Sequence, residues 1–153
     1  MDSAATTSDL TDHLGYWLRL VSNHVSQAFA RKVEARGVTV AEWVVMRQLL
    51  DVEVLAPSRL AERMGATRGT VSKLADRLIG KGLAIRSPDP EDGRGQTLSL
   101  TLAGRTLTPE LALLADQNDA EVFGGLSARD RAALARILRS IVDNRGLKAM
   151  PIE

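Results

Sequence analysis

Residues 60–104 decide the fold, and their sequence is LAERMGATRGTVSKLADRLIGKGLAIRSPDPEDGRGQTLSLTLAG. A short helix is predicted between Pro57, a residue type favoured at the first helical position, and Gly65. Thr67 is then placed to cap a second short helix, which Gly82 ends. The inner face of this second helix consists of Val71, Leu74, Ala75 and Leu78. Two short helices joined by a tight turn that contains glycine are typical of a helix-turn-helix.

Two short strands are predicted after this helix pair, over residues 83–86 (LAIR) and 97–100 (TLSL). In the second segment leucine alternates with threonine and serine, which is the pattern of a half-buried strand. The residues between the segments are dense in turn formers, and Asp92-Gly93 suits the tip of a hairpin. A helix-turn-helix followed by a hairpin predicts a winged helix.

Helical patterns lie on both sides of this winged helix. Apolar residues at spacings of three and four, from position 14 to Arg36-Gly37, predict a first helix of about 25 residues. A second helix is predicted from Thr39 to about Asp51, with Thr39 as its cap and Glu42 completing a capping box. Its inward residues are Trp43, Met46, Leu49 and Leu50.

Two further helices are predicted after the hairpin. The first is interrupted near Gly124-Gly125, and its apolar stripe is Leu107, Leu111, Leu114 and Val122. The second begins at Ser127 with Asp130, and its stripe is Leu134, Ile137, Leu138, Ile141 and Val142. At the other end of the chain, residues 1–8 are small and polar, and we expect them to be frayed.

The composition excludes several classes of protein. A chain of 153 residues with 44% hydrophobic residues suits one folded domain, or a compact core with an appended oligomerisation element. Charged residues interrupt every apolar run well before the roughly 20 residues that a membrane helix needs. The absence of cysteine excludes disulfides, cysteine zinc sites, thiol catalysis and cysteine redox sensing. No secretory pattern opens the sequence, and we therefore expect a cytoplasmic protein.

The net charge of +1 conceals an uneven distribution. Residues 63–86 contain six basic residues and a single acid, Asp76, so this stretch carries +5 and the remainder of the chain −4. A concentrated basic stretch in a nearly neutral protein indicates a surface for an anionic polymer. A solvated helix face is the alternative explanation.

The second short helix carries most of the functional information. With its apolar residues turned to the core, about 100° per residue places Gly69, Thr70, Ser72, Lys73, Asp76 and Arg77 on the opposite face. A recognition helix contacts base edges through its first turns, which favours Arg68, Thr70, Ser72 and Lys73. Gly69 would permit a close approach to the groove, and Arg77 is better placed to meet phosphate.

The hairpin adds one more candidate, Arg94. An arginine carried by a wing can enter the minor groove, where it responds to groove width and negative potential. Asp92, two residues away, could instead hold Arg94 in an internal ion pair. Asp89, Glu91 and Asp92 would repel phosphate, and we expect them to shape the turn.

Residues 60–104 resemble the multiple-antibiotic-resistance regulator (MarR) family of bacterial transcription factors. The resemblance is carried by an ordered set of motifs: Leu60-Ala61, Val71-Ser72-Lys73-Leu74, Asp76-Arg77-Leu78, Lys81-Gly82-Leu83, Arg86, Asp89-Pro90, Asp92-x-Arg94 and Leu100-Thr101-x-x-Gly104. The flanking helices agree with it, so the resemblance covers nearly the whole chain. Two residues depart from the family pattern. Ala56 stands where a capping serine or threonine is common, so the first short helix lacks a side-chain cap, and Gly93 stands where many members carry another arginine.

The resemblance implies a mainly α fold with a small β-hairpin wing, in a homodimer held by interlocking first, fifth and sixth helices. We predict one domain over residues 1–153, with the winged helix-turn-helix at about 38–101 and dimerisation helices at about 9–36 and 102–146. The predicted interface residues are Leu14, Leu18, Leu134, Ile137, Leu138 and Ile141. These stripes exceed what a domain of about 90 residues can cover, although intramolecular packing is an alternative. A two-fold dimer would read a palindromic operator with half-sites about one DNA turn apart.

Members of the family are commonly released from DNA by small aromatic or anionic ligands, which bind between the dimerisation helices and the winged helix. The candidate lining residues here are Tyr16, Trp17, Trp43 and Arg47. Both tryptophans could instead belong to the core, and Arg47 could pair with an acid. Without cysteine, we expect regulation by a reversible ligand and not by thiol oxidation.

No pattern of catalysis or metal binding is present in the sequence. His13 and His24 lie on one helix about 16 Å apart, too far to share a metal, and no nucleophile–base motif or phosphate loop is found. We therefore expect no enzyme activity, no metal and no cofactor. The favoured function is a ligand-released transcriptional repressor acting on DNA. One alternative is an architectural DNA-binding protein without effector. The other is a winged-helix protein–protein adaptor, and the basic face of the second short helix disfavours this adaptor.

Overall fold

The computed structural model describes residues 6–153, so residues 1–5 of the predicted frayed segment lie outside it. This part of the chain forms a short 3-10 helix, six α-helices and one two-stranded antiparallel sheet. The 3-10 helix is Leu10–Asp12, and the other elements are α1 Leu14–Glu34, α2 Val40–Leu50, α3 Pro57–Met64, α4 Arg68–Gly80, β1 Ala84–Pro88, β2 Gln96–Leu100, α5 Leu102–Phe123 and α6 Ala128–Arg145. The predicted mainly α fold with a small hairpin is confirmed.

The first long helix is shorter than predicted, because α1 has 21 residues and begins only at Leu14. His13 has an extended backbone, with φ −98° and ψ 127°, and separates α1 from the 3-10 helix. The predicted dimerisation helix over 9–36 is therefore two elements, followed by a turn at Gly37 with φ 83°.

The cap of α2 is as predicted, since the Thr39 hydroxyl accepts a hydrogen bond from Glu42 N at 3.2 Å. The capping box is wrong, however. The Glu42 side chain turns inward, is 1% exposed, and accepts hydrogen bonds from the ammonium group of Lys81. Of the predicted inward residues, Trp43 and Leu50 are only partly buried, whereas Val45, which the prediction missed, is fully buried.

The helix-turn-helix follows the sequence signals closely. Pro57 is the first residue of α3, and Gly65 ends the helix in the left-handed conformation with φ 61°. Thr67 caps α4 by accepting a hydrogen bond from Thr70 N at 3.1 Å. The predicted inner residues Val71, Leu74, Ala75 and Leu78 are all buried. Ala56 provides no side-chain cap to α3.

The first strand of the hairpin, β1, begins one residue and ends two residues later than predicted. In the register of the hairpin, Ala84 lies opposite Leu100 and Pro88 lies opposite Gln96. The simple alternation in β2 also fails, because Thr97 is buried and donates to Ser87 O at 3.4 Å. The other edge of β2 pairs with Leu55, whose N and O atoms bond Leu98 at 2.9 and 2.8 Å. This third partner was not visible in the sequence.

A glycine allows α5 to begin directly against the winged helix. A Cβ atom on Gly104 would lie 2.1 Å from Leu83 O, which is a backbone atom that cannot give way. Thr101 reinforces the junction, because its hydroxyl donates to Gly82 O at 2.7 Å and accepts from Gly104 N at 3.1 Å. From this start α5 continues through Pro109 to Phe123.

The hydrophobic core lies between the last turns of α1, which contribute the fully buried Val33, and α2, α3, α4, the hairpin and α5. By contrast, α6 contains no buried residue. After α6, residues 147–153 return to the core, and Met150 and Ile152 pack against it. Within residues 6–153, no helix combines the length and the apolar character that a membrane crossing requires.

Candidate nucleic-acid interface

The outward face of α4 carries the predicted DNA-contacting side chains. Five of the six predicted residues on this helix are exposed, namely Arg68, Gly69, Ser72, Lys73 and Arg77. The buried stripe on the opposite side fixes this orientation, since Val71 and Leu78 are 0% exposed. The helix therefore presents cationic and hydroxyl groups to solvent along its first three turns.

Thr70 differs from the other predicted contacts. It is half-buried, and its hydroxyl lies 2.9 Å from the hydroxyl of Thr67, the residue that caps α4. Its polar atom is therefore engaged in holding the start of the helix. A contact from Thr70 to DNA would have to share that hydroxyl.

Ion pairs divide the basic stretch into two sets. Lys81 pairs with Glu42 and Arg86 pairs with Asp76, each at 2.7 Å. No acidic partner lies within ion-pair distance of Arg63, Arg68, Lys73 or Arg77 anywhere in residues 6–153. The positive charge that remains available to a polyanion is thus concentrated on α4 and at the end of α3.

The Arg86–Asp76 pair also links two parts of this surface. Asp76 lies on α4, and Arg86 lies on β1, the first strand of the hairpin. Since Arg86 Nη2 is 2.7 Å from Asp76 Oδ1, an ion pair joins the hairpin to α4. The two elements that would contact DNA are therefore positioned as one unit.

The hairpin tip is shaped by its acidic residues. The Asp92 carboxylate accepts from Arg94 N at 3.1 Å, and the Asp89 carboxylate accepts from Glu91 N at 2.9 Å. Asp92 O also accepts from Gly95 N at 2.9 Å. The Arg94 guanidinium does not pair with Asp92, and it is exposed at the tip. The alternative that Asp92 holds Arg94 in an internal ion pair is therefore not supported.

A cavity of about 440 Å³ lies between α1, α2, α5 and the segment after α6. Its apolar lining includes Val25, Phe29, Trp43 and Met150. The rings of Phe29 and Trp43 are in edge-to-face contact, with centroids 6.3 Å apart. Polar groups at its border belong to Ser26, Arg47, Gln48, Asn118, Asp119 and Glu153.

The four predicted ligand-lining residues are not brought together. Trp43 and Arg47 line the cavity, but Tyr16 and Trp17 lie about 12 Å along α1 from Val25 at the cavity wall. Trp17 is half exposed, and its indole donates to Thr11 O at 3.0 Å. Arg47 has the acidic partner that sequence reasoning left open, because Nη1 lies 2.7 Å from Asp51 Oδ2.

Sequence reasoning missed Asn118, which is buried at the cavity border. Its amide nitrogen donates to Val25 O at 3.2 Å, and its carbonyl oxygen accepts from Lys32 Nζ at 3.0 Å. These bonds join α5 to α1 and hold one side of the cavity. The only signal was position: residue 118 falls at helical spacing from the apolar residues Leu111 and Leu114.

The predicted dimer residues form an uncovered apolar surface on α1 and α6. Leu14 is 88% exposed and Ile141 49%. Leu18, Ile137 and Leu138 are exposed as well, whereas Leu134 is half-buried. Several large apolar side chains on two helices are thus left exposed, which is typical of a protein–protein contact surface.

Comparison with known proteins agrees with this geometry. A family model described as the MarR family matches residues 36–95. The transcriptional repressor NicR of Pseudomonas putida is 26% identical over 139 residues, which is 91% of this chain and 88% of NicR. An uncharacterised helix-turn-helix transcriptional regulator of Bacillus cereus is 31% identical over 106 residues, covering 63% of this chain and 68% of the relative.

Among solved structures, BpsR of Bordetella bronchiseptica superposes with a TM-score of 0.79 at 27% identity, covering 90% of this chain and 99% of that one. That structure concerns the regulation of BpsR's DNA binding by 6-hydroxynicotinic acid. A likeness over nearly the full length of both chains includes the long helices as well as the helix-turn-helix.

Proposed function

Since the chain belongs to the MarR family of transcriptional regulators, we propose that it is a homodimeric repressor that binds a palindromic operator and is released by a small aromatic anion. Proteins of this family are transcription regulators and not enzymes. The proposal has three parts, which are DNA reading, dimerisation and ligand release, and separate observations support them.

The unpaired cations of α4 support DNA reading, and they are the observation that carries the proposal. Arg68 and Lys73 stand on the exposed face of its first turns, where a recognition helix meets base edges in the major groove. Arg77, one turn further along, is placed for a phosphate contact, and Arg94 extends from the hairpin for a minor-groove contact. Gly69 and Ser72 complete the contact surface, and Thr70 supports it from the helix cap.

The uncovered apolar residues of α1 and α6 support dimerisation. Burying one aliphatic side chain contributes about 1.5–3 kcal/mol, so Ile137, Leu138 and Ile141 on two subunits would supply much of the association energy. We expect a two-fold dimer to present two copies of α4 to the DNA and to read two half-sites about one DNA turn apart.

The cavity supports release by a ligand. A volume of about 440 Å³ falls within the range of small-molecule sites, and the edge-to-face pair of Phe29 and Trp43 offers an aromatic wall. Arg47 could exchange Asp51 for a ligand carboxylate at small cost, because an exposed ion pair contributes only about 0–1 kcal/mol. BpsR, whose DNA binding responds to 6-hydroxynicotinic acid, supports an aromatic acid as the ligand class.

The test of ligand release starts from an operator selected from random duplexes. Titrating 6-hydroxynicotinate and benzoate into the protein–operator complex should dissociate it reversibly, and Trp43→Ala with Arg47→Ala should lose this response while the affinity for the operator is kept. Hydrogen peroxide serves as the parallel arm. Release by peroxide, with neither acid active at millimolar concentration, would contradict the proposal.

A further inference from the structure

The residues that follow α6 connect the cavity with the helix-turn-helix. Residues 147–153, here called the strap, cross from α6 to the helix-turn-helix. Met150 N donates to Met64 O, the last residue of α3, at 2.8 Å. The side chains of Met150 and Ile152 pack against the hydrophobic core. One backbone hydrogen bond thus joins the strap to the end of α3, and two apolar side chains anchor it on the core.

The contact between the strap and Gly65 is between backbones. A Cβ atom on Gly65 would lie 2.8 Å from Ala149 Cα and 2.9 Å from Lys148 O. A flexible side chain could rotate away from Gly65, but backbone atoms cannot. A displacement of the strap would therefore alter the packing around Gly65 directly. Gly65 also has φ 61°, which a side chain would strain. Glycine is therefore required here for both conformation and proximity.

The strap is also one wall of the cavity. Met150, Pro151 and Glu153 line it together with Phe29 and Trp43. The same residue, Met150, therefore lines the cavity and holds α3 with its backbone N–H group. A molecule that fills the cavity meets the strap directly.

We propose that the strap couples the cavity to the recognition helix: a ligand that shifts Met150 shifts the turn at Gly65 and, through it, the start of α4. Thr67, the cap of α4, lies only two residues beyond Gly65. A ligand with different affinities for the two strap positions then changes the population of DNA-competent protein. This inference rests on the proposed ligand site, and it names the route by which that site acts.

Ile152 offers a test that changes no cavity-lining side chain, since Ile152 packs on the core but does not itself line the cavity. Ile152→Asp should detach the strap, and Ile152→Leu is the matched control. Hydrogen–deuterium exchange on the full-length, ligand-free protein should then show faster exchange at residues 64–70 by about tenfold, with residues 84–100 unchanged. Faster exchange within the strap alone, with residues 64–70 as in the wild type, would overturn the proposal.

A pair of glycine variants provides a second, independent test. Gly65→Ala places a Cβ atom against the strap, whereas Gly37→Ala introduces similar backbone strain, at φ 83°, with nothing within 4 Å. We expect Gly65→Ala, and not Gly37→Ala, to expose the strap's amides to exchange. Equal protection of the strap in both variants would show that it does not depend on the turn.

Ligand response separates failure of this inference from failure of the proposed function. With 6-hydroxynicotinate as the probe, the wild type and Ile152→Leu should release DNA, and Ile152→Asp should need at least about tenfold more probe for release, beyond any loss in its own affinity for the probe. Equal release from Ile152→Asp and the wild type would overturn the strap's role. If the probe fails to release even the wild type, the proposed ligand response has failed, and the exchange experiment still decides whether the strap and the turn are coupled.

Discussion

Lys81, the residue directly after α4, donates hydrogen bonds to both carboxylate oxygens of Glu42, at distances of 2.7 and 3.0 Å. The same ammonium group donates to Gly37 O at 2.9 Å. One end of α4 is thereby tied to α2 and to the loop before it, while Arg86 holds Asp76 on the helix against the hairpin. These two ion pairs support the orientation of α4 that its buried apolar stripe fixes.

Removing Lys81 should destabilise the protein, because the carboxylate of Glu42 is 1% exposed and would lose its charged partner. We expect Lys81→Met to lower the free energy of unfolding by about 2 kcal/mol, less than for a fully buried pair since the Lys81 side chain is 39% exposed. Urea unfolding measures the change. The double variant Glu42→Gln/Lys81→Met is the control and should recover part of the loss; a Lys81→Met protein as stable as the wild type would refute the structural role of the pair.

Lys73 and Arg68 are expected to contribute to sequence-specific binding. Replacing either by alanine should weaken operator binding by about 1–3 kcal/mol and relax the preference at one base pair, with the fold intact. Fluorescence anisotropy with operator and mutated duplexes measures both effects. Arg31→Ala removes an exposed cation on α1 and is the matched control. Operator affinity equal to that of the wild type in both folded α4 variants would remove them from the proposed interface.

Arg77 is expected to act through phosphate. Arg77→Ala should weaken binding to all duplexes alike and reduce the slope of log K against log salt by about 0.9. The measurement is binding to operator and random DNA at several salt concentrations. A loss confined to one base pair, with the salt slope unchanged, would instead place Arg77 among the base-reading residues.

The exposed apolar face of α6 leads to a prediction about assembly. The double variant Ile137→Asp/Ile141→Asp should sediment as a monomer and lose high-affinity operator binding, because each carboxylate would be buried without a partner. Val54→Asp, which changes a 42% exposed aliphatic residue in the loop before α3, should remain a dimer. A dimeric double variant with normal operator binding would show that α6 is not an interface helix.

Much of the winged helix could be predicted from the sequence because its signals are local. Pro57, Gly65 and Thr67 act through their own backbone preferences and caps, so they mark element ends without knowledge of distant contacts. The period of the apolar residues likewise placed the outward face of α4 correctly.

Features that depend on distant partners could not be predicted in this way. Glu42 fits a capping box by spacing, but a lysine 39 positions away in sequence takes its carboxylate. The pairing of Leu55 with Leu98 and the strap's bond to Met64 likewise join segments that share no sequence pattern. The family resemblance predicts Tyr16 and Trp17 as ligand-lining residues, although their position along α1 separates them from the cavity.

The measurement that tests the central claim most directly is the ratio of affinities for a selected operator and for random DNA of the same length, at one physiological salt concentration. A sequence-reading dimer should bind the operator at least about 10³-fold more tightly, and the selected sequence should be a palindrome with half-sites about one turn apart. A ratio near one would contradict sequence reading and support an architectural role. No measurable binding to either duplex would contradict a DNA-binding function altogether.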